Sequence, residues 1–91
     1  MHSELPVLVD FWAVWCAPCK VIDPTIEYLA QNYVDRLKIV KLNVDENMKI
    51  PSRYGVRSIP TLLLFMEGEL KETIIGAASQ DKIINTISKY L

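Results

Sequence analysis

Short apolar runs along the chain predict strands. The segment PVLVDFW, residues 6–12, is almost continuously apolar and rich in β-branched side chains, which is typical of a strand covered on both faces. LKIVKLNV, residues 37–44, predicts a second strand, and TLLLFM, residues 61–66, predicts a third. Pro60 introduces this third strand at a position where a missing ladder donor is tolerated. The hairpin signal MEGE then leads to a returning strand, LKETIIG, at residues 70–76.

Helical spacing of apolar residues occurs in two parts of the chain. From residue 17 to about residue 33 the apolar positions recur every three or four residues, and Pro24 inside this pattern predicts a kink rather than two helices. Ser79 is a suitable N-cap for a last helix with one apolar face, and a short helical piece is expected near residues 46–50. The order β-α-β followed by β-β-α predicts one α/β domain over residues 1–91, with a central four-stranded mixed sheet flanked by helices.

Composition and charge narrow the function. At 91 residues, with 51% hydrophobic and 23% charged side chains, the chain has the balance of one soluble globular domain. The formal net charge is −1 and neither sign forms a run, so nucleic acid is not an expected partner. The N-terminus lacks the features of a signal peptide, and the apolar run at residues 59–66 is far below the roughly 20 residues of a membrane helix. We therefore expect a cytoplasmic protein that does not bind membranes.

The only two cysteines, Cys16 and Cys19, are three residues apart in the segment FWAVWCAPCK, residues 11–20. In a reducing cytoplasm such a pair is more often redox-active or metal-binding than a permanent structural bridge. Zinc generally requires four ligands, and the sole histidine, His2, lies near the chain terminus, so a metal site would need a second chain. Inert packed cysteines are a further alternative, but packing hardly explains this spacing beside a proline. The pattern favours a redox-active pair without a metal.

The position of the pair at a strand-to-helix junction has a chemical consequence. If Cys16 ends the loop and Ala17, Pro18 and Cys19 begin the helix, the Cys16 sulfur lies at the positive end of the helix dipole, which favours the thiolate. We therefore expect Cys16 to be the more exposed and more acidic thiol, and to attack a target disulfide. Cys19, one turn further on, would attack the Cys16 sulfur of the mixed disulfide and release the reduced target.

Asp10 is an acidic residue inside an apolar strand, on the same face as Leu8 and Trp12. An ionised carboxylate is costly there unless it is paired. Burial would raise the pKa of Asp10 and enable it to accept the proton of Cys19 as that residue attacks. From the sequence alone, an aspartate that binds loop N–H groups at a strand end is an open alternative.

Several separated motifs resemble those of thioredoxins, in the same order and over nearly the whole chain. They are VDFWAVWCAPCK at residues 9–20, KLNVDEN at 41–47, YGVRSIPTLLLF at 54–65, and Gly76-Ala77. The resemblance implies a thioredoxin fold and a thiol–disulfide oxidoreductase that reduces protein disulfides through its reversible dithiol, with no separate cofactor. It also implies two kinds of protein partner: targets that contain disulfides, and a thioredoxin reductase that supplies electrons.

The resemblance further implies roles for residues around the dithiol. Asp10 would accept and return a proton, and Lys41 would lie near its carboxylate, although a solvated strand lysine is an equal alternative. Trp12 would pack beneath the site as structural support, with ordinary core packing as the alternative for a tryptophan. Targets would be bound by residues on the surface beside the dithiol: Trp15, Ala17, Pro18, Ile59, Pro60 and Gly76.

Two of these positions carry more specific expectations. The Ile59–Pro60 bond matches a cis peptide bond of the family, so the resemblance implies that it is cis. The sequence alone does not support this expectation, because most X-Pro bonds are trans. Gly76 would complete an apolar groove by allowing close backbone approach, and a simple strand-ending glycine is the alternative.

The residues around the dithiol also depart from the family pattern. Ala17 stands where most thioredoxins have glycine, and residues between the cysteines tune the relative stability of dithiol and disulfide. Val14 occupies a position that is often charged, which makes the surface more apolar and changes the choice of targets.

The start of the chain is a larger departure. Only five residues precede Pro6, so we expect a short form that lacks the usual first strand and helix. The expected spatial order, with the first three strands parallel and the last antiparallel, is 37–44, 6–12, 61–66, 70–76. Strand 37–44 would then be an exposed edge. Lys38, Lys41 and Asn43 would discourage pairing between copies, so we expect a monomer, and pairing of two copies along this edge is the alternative.

Two other functions fit the same pattern. A binding module could use the groove to hold partners with the cysteines secondary, and a thiol oxidant or disulfide isomerase would use the same dithiol at a different reduction potential. Assays of disulfide reduction separate the enzyme from the binding module.

Overall fold

The computed structural model describes residues 4–91, which form a four-stranded sheet between helices. The strands are β1 (Val7–Trp12), β2 (Lys38–Asn43), β3 (Thr61–Met66) and β4 (Glu69–Ile75). The helices are α1 (Ala17–Asn32), α2 (Lys49–Arg53) and α3 (Gln80–Ile87), and a 3₁₀ turn follows at Ser88–Tyr90. This is the α/β architecture that the order of elements in the sequence predicts.

The strand order in the sheet is β2-β1-β3-β4, as predicted, but the orientation of one strand differs. β1 and β2 are parallel, whereas β3 runs antiparallel to β1, and β4 runs antiparallel to β3. The expectation of three parallel strands is therefore wrong. A parallel β3 would require the chain to travel back along the sheet after β2. Residues 44–60 instead form a turn, the short helix α2 and a loop whose apolar side chains pack on the Val9 and Phe11 face of the sheet, so β3 starts at the end where β2 stops.

The two faces of the sheet bury separate apolar clusters because strand side chains alternate between faces. One cluster packs the sheet against α1 and α3, and its buried members are Leu8, Ile22, Ile26, Leu29, Leu37, Leu62, Leu64, Ile74, Ile83 and Ile87. The other packs against α2 and the segment after it, and its buried members are Val7, Val9, Phe11, Leu63 and Phe65. The strands that lead to and from the site are thus fixed on both faces.

α2 begins three residues later than the sequence predicts. The side-chain oxygen of Asn47 accepts hydrogen bonds from the backbone N–H groups of Lys49 and Ile50, both at 3.2 Å. The helix therefore starts after this residue, and residues 44–46 form a turn instead. α1 continues past Pro24 as one helix, as predicted.

β2 forms one edge of the sheet within residues 4–91, and Lys38 and Lys41 on it are exposed. In the same part of the chain, none of the helices has the length and apolar character needed to cross a membrane.

Candidate active site

Cys16 and Cys19 are joined by a disulfide at the start of α1, with their Cα atoms 5.3 Å apart. Cys16 is the N-cap of the helix, and its sulfur accepts a hydrogen bond from the backbone N–H of Cys19 at 3.1 Å. Pro18 occupies the first turn, where its missing N–H leaves no helical hydrogen bond unmade. The sulfur of Cys16 therefore lies at the N-terminal end of the helix dipole, as the sequence predicts.

The expected difference in exposure between the two cysteines is absent. Both are 3% exposed. The two sulfur atoms are bonded to each other, and the pair packs with buried Ala13 and with the partly buried Trp12, Val44 and Ile59. The expectation of a more exposed Cys16 is therefore wrong for the disulfide form. The two cysteines differ instead in their place on the helix, because only Cys16 is its N-cap.

Trp15 projects from the loop immediately before the dithiol and is 69% exposed. Its indole Nε1 donates a hydrogen bond to Oδ2 of Asp45 at 2.9 Å, which fixes the ring over the turn after β2. Trp15 and Ile59 line a cleft of about 630 Å³ together with Met48 and Val56. Asp45 and Met48 were not singled out from the sequence, although Asp45 lies within the KLNVDEN motif. By contrast, Trp12 is partly buried beside the cysteines.

The Ile59–Pro60 peptide bond is cis, in agreement with the expectation from the resemblance. The carbonyl oxygen of Pro60 accepts a hydrogen bond from the N–H of Gly76 at 2.9 Å, which places the end of β4 beside the dithiol loop through Ile59. Gly76 has φ of 89°, a conformation that favours glycine. No heavy atom of the described chain lies within 4 Å of a Cβ built there, so the space beside Gly76 is open. Ile75, which precedes Gly76, is exposed and was not singled out from the sequence.

Asp10 is 1% exposed on β1, and neither carboxylate oxygen has a hydrogen-bond partner within the described residues. Burial raises the pKa of Asp10 to about 6; the charge of Lys41 lowers it and the charge of Asp23 raises it. The absence of bound N–H groups argues against the alternative in which Asp10 caps a loop. A buried carboxyl group with this pKa can exchange a proton near neutral pH.

Lys41 lies opposite Asp10 in the parallel ladder between β1 and β2. Its ammonium group does not pair with Asp10. It lies 3.6 Å from Oδ1 of Asp23 and 5.5 Å from the centroid of the Trp12 ring. Asp23 was missed from the sequence, although its spacing of four residues from Cys19 puts both on one face of α1.

The remaining predicted binding residues differ in exposure. Ala17 and Pro18 are exposed on the first turn of α1, whereas Pro60 is buried and Ile59 is partly buried. Among the described residues, no group of three or more histidine, cysteine, aspartate or glutamate side chains is placed to hold a metal ion.

Comparison with known proteins identifies the family. The family model named Thioredoxin matches residues 1–89. All 91 residues align at 47% identity with Thioredoxin 1 of Synechococcus elongatus, 85% of which is covered. The chain is also 48% identical to the thioredoxin of Rickettsia prowazekii, 87% of which is covered. The chain belongs to the thioredoxin family. It is 52% identical to the chloroplastic thioredoxin M-type of Chlamydomonas reinhardtii and spans 65% of that protein.

Membership in the thioredoxin family assigns the cysteine pair its chemistry. The chain is a thiol–disulfide oxidoreductase, and its redox-active group is the Cys16–Cys19 disulfide. Thioredoxins act on disulfide-containing targets, receive electrons from a thioredoxin reductase and need no cofactor. The resemblance seen in the sequence is therefore confirmed at the level of family, fold and reaction.

Proposed function

We propose that the chain reduces disulfides in other proteins, with Cys16 as the attacking thiol and Cys19 as the resolving thiol. The observation that carries this assignment is the position of Cys16 as N-cap of α1, where its sulfur already accepts the N–H of Cys19. The same hydrogen bond and the helix dipole would stabilise a thiolate on Cys16 more than on Cys19, which lies inside the helix. A lower thiol pKa increases the fraction of the nucleophile at neutral pH.

The reaction proceeds in two exchanges. The Cys16 thiolate attacks one sulfur of the target disulfide, so that a Cys16–target disulfide forms and the other target sulfur leaves as a thiolate. Cys19 then loses its proton and attacks the Cys16 sulfur. The Cys16–Cys19 disulfide forms, the bond to the target breaks, and the second target sulfur leaves with its electron pair. The target gains two electrons and the dithiol loses two. A thioredoxin reductase would return the electrons to the Cys16–Cys19 disulfide.

Asp10 is proposed as the group that accepts the Cys19 proton and returns it in the reverse exchange. Its support is a buried carboxylate without hydrogen-bond partners and with a pKa raised to about 6 by burial. Such a group is a stronger base than an ordinary aspartate, yet it is still ionised at neutral pH. Lys41 is proposed to tune the charge at Asp10, and Trp12 to support the dithiol from below.

The target segment is proposed to lie across the apolar surface beside the dithiol. Trp15, Ala17 and Pro18 are exposed next to the cysteines in the chain and are proposed to border this surface. Ile59, Pro60 and Gly76 are proposed to border it as well, where the open space beside Gly76 would admit a target backbone. An extended target segment fits such a surface because it can add backbone hydrogen bonds to apolar contact.

The cellular location and the domain organisation of the chain are also proposals. A dithiol reductase needs a reducing compartment, and we propose the cytoplasm, while relatives named chloroplastic are compatible with a plastid. Residues 1–91 are proposed to act as one domain.

We propose a monomer, because exposed Lys38 and Lys41 discourage pairing along β2. Sedimentation should give a single species near the 10.4 kDa mass of the chain across a wide concentration range. A species of twice this mass at micromolar concentration would contradict the proposal.

Reduction of insulin disulfides tests the proposed function. With dithiothreitol as electron donor, the wild-type protein should accelerate reduction, and Cys16→Ser should reduce no faster than buffer. Serine remains a good N-cap, so the loss would report the sulfur rather than the helix. Equal turnover by both proteins would remove the assignment and favour a binding module. The measured reduction potential separates a reductase from a thiol oxidant.

A further inference from the structure

Lys41 lies between two aspartates but pairs with only one. It is the neighbour of Asp10 across the β1–β2 ladder, and neighbouring strands are only about 4.8 Å apart. Paired residues in a ladder project to the same face, so the flexible lysine side chain lies on the Asp10 side of the sheet. Its ammonium nevertheless lies 3.6 Å from Asp23, and both oxygens of Asp10 are without a partner among the described residues.

Within residues 4–91, the other elements around Asp10 supply no second cation. β3 places Leu62 opposite Asp10, and α3 contributes Ile83 and Ile87 to the apolar cluster on this face. The charges that act on Asp10 are those of Lys41 from β2 and Asp23 from α1. The site of the Lys41 ammonium therefore decides whether the buried carboxylate is paired.

We propose that Asp23 is a positioning residue for the proton transfer, because its ion pair with Lys41 holds the ammonium at the exposed rim and away from the carboxylate of Asp10. The inference rests on the proposed role of Asp10 as acceptor of the Cys19 proton. The side chains of Asp23 and Lys41 are each 47% exposed, so the pair lies at the edge of the buried site rather than inside it. The ring of Trp12, 5.5 Å from the ammonium, forms the other contact at this rim.

The consequence for the reaction concerns the basicity of Asp10. An ammonium in direct contact would favour the ionised carboxylate and make it a weaker base. With Lys41 held by Asp23, the carboxylate keeps the raised pKa that burial produces. Asp23 lies one helical turn beyond Cys19, so α1 carries the dithiol and also the residue that controls its proton acceptor.

The test follows the titration of Asp10 itself by carbon-13 NMR of its carboxyl group in the oxidised protein, with no target present. Asp23→Asn should lower the Asp10 midpoint by about 0.5 to 1 pH unit, because it removes a nearby negative charge and releases Lys41. Glu27→Gln, which removes the same charge from an exposed site one turn further along α1, should shift the midpoint by far less. An unchanged midpoint in Asp23→Asn, or a shift equal to that of Glu27→Gln, overturns the proposal.

A Lys41→Met background separates positioning from a direct effect of charge. Lys41→Met alone should raise the midpoint. Adding Asp23→Asn to it should shift the midpoint by less than half of the shift seen with Lys41 present, because no ammonium remains to be released. Equal shifts in the two backgrounds would show that Asp23 acts by its charge alone and would overturn the positioning role. Because this titration needs no turnover, its failure is distinct from a failure of wild-type protein in the insulin assay.

Discussion

Replacing Cys19 by serine is expected to stop the reaction at the mixed disulfide. Cys16 retains its position as N-cap of α1 and can still attack a target disulfide. The serine hydroxyl at position 19 cannot attack a disulfide sulfur at neutral pH, so the Cys16–target bond persists. Without a small-molecule thiol that could release the target in its place, turnover should fall by at least about a thousandfold, the scale of losing a group that forms a covalent bond in the reaction.

The adduct can be measured directly. The Cys19→Ser protein is incubated with a small protein that contains one disulfide, and intact-mass spectrometry without reductant should show the sum of the two chains. The adduct should disappear on addition of dithiothreitol. Cys16→Ser is the matched control and should give no adduct. An adduct in Cys16→Ser together with none in Cys19→Ser would reverse the two roles.

The sequence predicted those parts of the site that depend on local spacing. Cys16 and Cys19 are separated by one helical turn, and Pro18 marks the helix start, so their placement follows from helix geometry. The burial of Asp10 follows from its place in an almost continuously apolar strand. These features need only neighbouring residues in the chain, and the structure has them where the sequence predicts them.

Three features that depend on distant residues were not predicted. The reversed direction of β3 depends on how far the chain travels between β2 and β3, and the apolar pattern of a strand is the same in both directions. The Asp23–Lys41 ion pair joins α1 to β2, and the Trp15–Asp45 hydrogen bond joins two loops. Each requires the fold to be known before two surface side chains can be placed together.

The exposure of Cys16 was predicted wrongly for a different reason. Its place at a loop-to-helix junction suggests an open position, but the neighbours that cover it come from other elements. Ile59 precedes β3 and Val44 follows β2, and both pack against the disulfide. Local position sets the electrostatics of this thiol, whereas tertiary packing sets its exposure.

Asp10→Asn is expected to stabilise the oxidised protein by about 3 kcal/mol at pH 7.5 and to leave its stability nearly unchanged at pH 4. The pKa of Asp10 is raised from 3.8 to about 6 in the folded protein, and the ordinary value applies when the chain is unfolded. Between these values the folded chain binds the extra proton, so stability falls as the pH rises through this window. Each unit of pKa corresponds to about 1.4 kcal/mol. Asparagine is neutral at every pH and has the shape of the protonated acid, so it removes this loss.

Denaturant unfolding at the two pH values checks this expectation, with Asp35→Asn as the control. Asp35 is exposed, so its replacement should change the free energy of unfolding by less than about 0.5 kcal/mol at either pH. The stabilised Asp10→Asn protein should nevertheless release the target from the mixed disulfide more slowly, because Cys19 has lost its proton acceptor. If the Asp10→Asn protein is more stable but releases the target at an unchanged rate, Asp10 is a buried charge that takes no part in catalysis. Slower release of the target in a protein of greater stability shows that the buried carboxylate lowers the stability of the fold but is needed for the reaction.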